Sequence, residues 1–482
     1  MAQSKVFKGV VWTSIERFGT LAISFVSNMI LARLLTPDDF GTIGMLLFFI
    51  SIAQTFVDSG FGSALIQKKE ITKADVNTVF YINMGMSILS YIILFFTAPI
   101  IASFYNIPLL KDLLRVQSLV ILIQGFTIIQ TVQLRKKLEF KKLSLCNIIG
   151  TFVLACSGII SALLGLGVWS LVIRTLAGAI TTSILLWWIG KWKPILLFSI
   201  KSFKELFGFG GFILLSSIMV TISNNIQAMI LGKMFKPSTV GNFTQARTLR
   251  NIPSEGVSSV IGQVLYPDFS NNQNDDLLIK QKLEKSAYLI SYAVSFMMAL
   301  CILIGEPLIK IVYGGQWDEA IPYFQILCIG GLPLCLQDIN INVIKAKGHS
   351  AALFVCNLIK IVLYVIVMIV GARLYGVYGF LWVMVVYSFV AYFAFAIIGT
   401  YFIKTTIIGQ LLNVGKSVAI ALIPMAIVFL LRPVLPAYPN YFLWLIIESA
   451  FYFSAFILLS IILKCDAFNY LYDNIIRKKK EC

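Results

Sequence analysis

The chain has 482 residues, 59% hydrophobic and 13% charged, with a formal net charge of +17 and a mean hydropathy of +0.88. Soluble domains carry roughly 25% charged residues, so the composition excludes a water-borne core and reads as an all-α polytopic membrane protein. The basic excess falls in loops, where it sets topology and implies no nucleic-acid partner; the single histidine, His349, excludes a His-based metal site, and no cofactor motif or CxxC pair occurs among the eight cysteines.

Windows of membrane length predict fourteen helices, at 10–35, 40–59, 77–104, 112–134, 143–165, 167–189, 206–232, 240–266, 286–312, 319–344, 350–373, 377–403, 412–432 and 441–464. The runs are continuous rather than alternating, which excludes a β-barrel. Alternate loops carry most of the positive charge: Lys68, Lys69 and Lys73, then the Arg135–Lys142 stretch, then Lys191, Lys193, Lys201 and Lys204, then Lys280, Lys282 and Lys285. The opposite loops hold only Arg33, Lys111, Arg115, Lys233, Lys236, Lys310, Arg373 and Arg432. The positive-inside rule therefore places both termini in the cytoplasm.

An internal repeat organises the helices. MILARLLTPDDFG at 29–41 answers MILGKMFKPSTVG at 229–241, with Met29/Met229, Pro37/Pro237 and Gly41/Gly241 in register. Cys146-Asn147 answers Cys356-Asn357, and GVW at 167–169 answers GVY at 376–378. The repeat retains the weakly hydrophobic eighth helix and gives two parallel six-helix lobes related by an axis along the membrane normal. The expected organisation is an N-terminal lobe at 1–190, a cytoplasmic amphipathic linker at 191–205 read as an interfacial helix, a C-terminal lobe at 206–404, and two further helices with a basic tail at 405–482.

Buried cations are the chemical signal. In the first helix Glu16-Arg17 interrupts an apolar run, and at about 100° per residue Thr13, Ser24 and Asn28 fall within about 40° of Arg17. The eighth helix repeats the design with Arg247, Asn251, Ser254 and Ser258 on one face, flanked by Arg250. Asn224 stands on the polar face of the seventh helix, and Arg174 and Lys360 add two cations at membrane depth. A cation in a membrane helix costs roughly 2.5–3.5 kcal/mol on insertion scales, so the group points to a cavity between the lobes that receives an anion. The bland alternatives are neutralisation of Arg17 by Glu16, pairing of Arg247 or Arg250 with Glu255, and near-interface placement of Arg174 and Lys360. Asp58, Glu255 and Glu448 are the candidates for coupling to H⁺ or Na⁺.

LARLLTPDDFGTIGM at 31–45, DSGFGSALIQKKE at 58–70 and the fourteen spans together resemble the multidrug/oligosaccharidyl-lipid/polysaccharide exporter superfamily, and within it the Wzx-type polysaccharide flippases. The resemblance implies a protein without catalytic residues in the bacterial cytoplasmic (inner) membrane. It implies two lobes around a central cavity, membrane lipids and polysaccharide-assembly proteins as partners, and undecaprenyl-pyrophosphate-linked oligosaccharide as cargo for lipopolysaccharide or exopolysaccharide. Related lipid II flippases place cations on their first and eighth helices, where Arg17, Arg247 and Arg250 stand here; Glu16 departs from that pattern. The rival readings are a cation-coupled drug or metabolite exporter of the same superfamily and a membrane polysaccharide polymerase or ligase.

Overall fold

The computed structural model describes residues 2–58, 60–68, 70–404, 406–432 and 440–472. Among these residues all regular structure is helical, and the chain divides into two compact units, Met1–Gly241 and Asn242–Cys482.

The first unit contains α1 (Ala2–Leu34), α2 (Pro37–Asp58), α3 (Phe61–Gln67), α4 (Lys73–Tyr105), α5 (Leu109–Gln117), α6 (Leu119–Lys136), α7 (Phe140–Leu163), α8 (Trp169–Gly190) and α9 (Ile200–Met234). The TPDDFG motif is a helix start. The Thr36 amide and hydroxyl donate to Asp39 Oδ2 at 2.9 and 2.8 Å, the Asp39 amide donates back to Thr36 Oγ1 at 3.3 Å, and Pro37 takes the first helical position. Thr72 and Asp75 form the equivalent capping box at α4. α1 packs along α7, α7 on α8, α4 on α6, and α9 on α2, α3 and α4.

The linker differs from the expected amphipathic helix. Residues 191–199 form no helix, and the helix begins at Ile200. Pro194 disfavours helical geometry in Lys193, and α4 captures the backbone that a helix would have used. The Ile195 amide donates to Asn77 Oδ1 at 2.7 Å and the Ser199 amide to Thr78 Oγ1 at 2.9 Å. Lys68 then bridges Asp75 and Glu205, each at 3.0 Å.

The next helix, α10 (Pro237–Asn271), carries the expected eighth span and contains the boundary between the units; Pro253 and Pro267 lie within it. The second unit continues with α11 (Asp276–Leu303), α12 (Gly305–Val312), α13 (Ala320–Ile329), α14 (Gly331–Ala346), α15 (Ser350–Phe402), α16 (Ile408–Leu431), α17 (Tyr441–Ile462) and α18 (Asp466–Tyr472). α15 holds two expected spans, 350–373 and 377–403, separated at Tyr375 and Gly376, where Gly376 has φ 64°. Its repeat partner Gly167, between α7 and α8, has φ 52°. Both positions of the GVW/GVY match thus demand the left-handed backbone that glycine adopts without steric cost. The last two membrane helices pack on α11 around Phe296, which lies 5.4 Å from Tyr452 and 4.7 Å from Phe456, ring centre to ring centre, while Tyr292 and Ser460 share a 2.7 Å hydrogen bond.

Twelve helical segments among the described residues are long and apolar enough to cross a membrane. One of them is α15 with its two expected spans, and α10 is not among the twelve, so hydropathy alone does not establish the count of fourteen. The protein is a multi-pass membrane protein. The lobe limits drawn from the repeat follow chain order, whereas the packing units divide at Gly241 because α9 packs on helices of the first unit.

Candidate functional site

In the first unit, Arg17 is exposed on α1 and forms no ion pair among the described residues. Its neighbour Glu16 turns the other way. Glu16 Oε2 accepts a 2.7 Å hydrogen bond from Ser144 Oγ and Oε1 a 2.6 Å bond from Asn147 Nδ2, both on α7. Glu16 is therefore engaged by neutral donors rather than by the guanidinium beside it. Ser24 and Asn28 are half-buried farther along α1. Asn224 is exposed on α9; one turn earlier, Thr221 Oγ1 lies 2.8 Å from Thr55 Oγ1 of α2, which ties the polar faces of these two helices together.

Arg174 is half-buried on α8, its stem laid over Gly158 of α7. A Cβ placed on Gly158 would stand 2.9 Å from Arg174 Cβ and 3.3 Å from Leu31 Cδ1, so the side chain starts where α1, α7 and α8 meet. Asp58 is exposed at the end of α2 and accepts from Gln124 Nε2 at 3.3 Å.

In the second unit, Arg250 is buried, at 7% exposure, and Arg247, about one turn earlier on α10, and Asn251, the next residue, are half-buried. The Ser254 hydroxyl donates to the Arg250 carbonyl at 3.2 Å, and the Cys335 thiol of α14 lies 3.8 Å from the Ser254 carbonyl oxygen. Lys360 reaches α14 as well: its ammonium donates to Gln337 Oε1 at 3.2 Å and lies 5.6 Å from the centre of the Phe395 ring. Cys335 and Gln337 are two residues apart, about 200° round a helix, so the Arg250 turn and Lys360 flank α14 from opposite sides. α14 thus lies between these two predicted residues.

Glu448 is 1% exposed, and its carboxylate is taken by Arg432: Nε donates to Oε1 at 2.8 Å and Nη2 to Oε2 at 3.0 Å. The Arg432 guanidinium also donates to the Leu303 carbonyl at 2.9 Å and lies 5.0 Å from the Trp444 ring centre. This geometry ties α16 and α17 to α11. The side chains of Glu255 and Ser258 lie outside the described residues.

Sequence reasoning passed over three polar contacts. Asn147 served only as a repeat marker, although a lone carboxylate in one membrane helix signals a donor on a neighbour. Arg432 and Glu448 are opposite charges in consecutive spans, a pairing legible without coordinates. The clasp of Lys68 on Asp75 and Glu205 joins residues far apart in the chain, and no local pattern marks it. Among the described residues no cluster of three or more His, Cys, Asp or Glu side chains is placed to hold a metal ion.

The chain is similar to lipopolysaccharide biosynthesis protein WzxC of Escherichia coli (strain K12), 24% identical over 406 residues and 81% of both chains. It is also similar to succinoglycan biosynthesis transport protein ExoT of Rhizobium meliloti (strain 1021), 26% identical over 458 residues, 92% of this chain and 90% of that one. Among solved structures it shares the fold of lipid II flippase MurJ in an inward closed conformation, with a TM-score of 0.72 at 16% identity over 95% of this chain and 100% of that chain. These likenesses agree with a helical, multi-pass membrane architecture. The chain belongs to the polysaccharide biosynthesis protein family, whose model matches residues 30–322.

Proposed function

We propose that this protein is a flippase that moves undecaprenyl-pyrophosphate-linked oligosaccharide repeat units from the inner to the outer leaflet of the bacterial cytoplasmic membrane, with both termini cytoplasmic. One observation carries the reading: in a polysaccharide-biosynthesis chain, Arg17 lies within a helix long and apolar enough to cross a membrane, exposed and outside any ion pair among the described residues. A guanidinium so placed costs free energy unless a water-filled path or an anion faces it. A pyrophosphate offers planar, bidentate acceptors that suit arginine better than lysine.

In this account Arg17, Arg247 and Arg250 receive the pyrophosphate. Ser24, Asn28, Asn224 and Asn251 hydrogen-bond the sugars, and Arg174 and Lys360 keep the field positive. The polyprenyl tail remains in lipid. The halves defined by the repeat rock about the cargo in alternating access. Outward movement of net negative charge is driven by an inside-negative potential, worth about 2.3 kcal/mol per charge per 100 mV. No covalent step is required. Asp58 is the better placed coupling candidate, because its carboxylate has one neutral donor, whereas that of Glu448 is engaged by Arg432.

The test is complementation. A strain lacking the chain is expected to lose surface glycan and accumulate lipid-linked repeat units, and the parent chain restores both. The triple variant Arg17→Ala/Arg247→Ala/Arg250→Ala is expected to insert normally and restore neither. Near-normal surface glycan from the triple variant rejects the proposal.

A further inference from the structure

The seam between α1 and α7 explains why a carboxylate precedes Arg17. α1 meets α7 through positions spaced three and four residues apart, which lie on one helical face. Gly9 lies against Phe140: a Cβ there would stand 2.7 Å from Phe140 Cδ2. Trp12 lies 5.3 Å from the Lys141 ammonium, ring centre to nitrogen, and its carbonyl oxygen is 3.2 Å from Ser144 Oγ. Glu16 takes the hydrogen bonds of Ser144 and Asn147. Gly19 lies against Ile148, 3.9 Å from a Cβ built on it.

Two glycines in such a seam allow close approach but offer no protrusion to stop one helix rolling on the other. Trp12 contributes a loose ring contact and a backbone carbonyl that shares the Ser144 hydroxyl at 3.2 Å. The side-chain bonds are those of Glu16, whose two oxygens accept from two donors almost one helical turn apart on α7. A carboxylate held this way fixes both the rotation and the height of α1. Arg17, about 100° further round, is thereby turned away from α7 and left exposed.

We propose that Glu16 is a positioning residue for Arg17: it orients α1 through Ser144 and Asn147, and it does not act as a counter-ion. The inference rests on the reading that Arg17 receives the anionic cargo. The two roles separate when the charge is moved without losing the bond. In Glu16→Gln/Asn147→Asp the introduced amide donates to the introduced carboxylate, its oxygen still accepts from Ser144, and the negative charge has moved to α7.

Export by deletion strains carrying each variant is the first readout. Asn147→Leu is expected to lower export by on the order of tenfold, the loss of one hydrogen bond to a charged group, and Glu16→Ala, which loses both bonds, by at least as much. The exchanged pair is expected to recover most of it. The second readout is independent of transport: maleimide labelling of Arg17→Cys in membranes, quantified at that peptide by mass spectrometry. Labelling is expected to fall in the Glu16→Ala background and to return in the exchanged pair. The proposal is overturned if Glu16→Ala exports and labels like the parent, or if the exchanged pair labels like Glu16→Ala. Normal export by Arg17→Ala alone rejects the cargo reading instead, and the labelling result still decides whether Glu16 orients the helix.

Discussion

Substitution of Gly41 by alanine is expected to destabilise the protein through a single contact. Gly41 and Gly241 are the fifth residues of α2 and α10, and the two helix starts cross with their glycines face to face. A Cβ on Gly41 would lie 1.7 Å from the Pro237 carbonyl oxygen, and one on Gly241 would lie 2.0 Å from the Pro37 carbonyl oxygen. Ordinary carbon contacts begin near 3.5 Å, so the crossing must open by more than about 1.5 Å. The obstructing atoms are backbone in the first helical turn, fixed by proline, and no side chain can swing aside. Overpacking costs about 1–3 kcal/mol where neighbours adjust, and the rigid crossing places each single variant at or above the upper end of that range. Because both substitutions strain one crossing, the double variant should cost less than the sum of the singles. The assay is thermal unfolding of the purified full-length chain in detergent, with Gly85→Ala as control; nothing stands within 4 Å of a Cβ there. Gly85→Ala is expected to match or exceed the parent, as a glycine replaced within a helix gains up to about 1 kcal/mol. A Gly41→Ala protein as stable as Gly85→Ala would refute the close-crossing argument.

Arg432→Ala is expected to lower stability by about 3–5 kcal/mol, because it leaves the buried Glu448 carboxylate without its partner, whereas Arg432→Met/Glu448→Met should recover most of the loss; unfolding of both variants checks this. Hydrogen bonds to Asp75 and then Glu205 push the Lys68 ammonium above its ordinary value of 10.5. A raised folded value means that the clasp is fully present below the ordinary value and is lost only as pH rises through the raised one. Exchange protection of the Ile195 and Ser199 amides, corrected for intrinsic rate, should therefore stay level from neutral pH into the alkaline range. The clasp is partly exposed and worth at most about 1 kcal/mol, so Lys68→Met should weaken that protection only several-fold. Loss of protection near neutral pH would contradict the assignment.

Much of the architecture was legible because lipid leaves the backbone few choices. A continuous apolar run must be helical, and α2, α4, α7, α8, α16 and α17 fall close to their expected limits, while α1 and α9 begin eight and six residues earlier than expected. The repeat was legible where backbone geometry demands one residue type: Gly41 and Gly241 at the crossing, Gly167 and Gly376 at positive φ. The linker was misread because its pattern of lysine and apolar residues suits a helix, while side chains of Asn77 and Thr78, more than 100 residues away, take its backbone amides and hold it non-helical. In α1 the sequence showed Glu16 only as a possible counter-charge to Arg17, whereas its carboxylate is held by Ser144 and Asn147 of α7. A carboxylate's partner on another helix has no signature in local periodicity.

Movement of labelled cargo by reconstituted protein tests the cationic-site account most directly. Proteoliposomes carry a short polyprenyl-pyrophosphate sugar with a fluorophore on the sugar, and a membrane-impermeant quencher reports the rate of exchange between leaflets. The account predicts rapid exchange with the parent chain and a protein-free rate with Arg17→Ala/Arg247→Ala/Arg250→Ala. It also predicts that an uncharged polyprenyl-linked sugar is moved slowly by both. Equal exchange by the parent and the triple variant would contradict it.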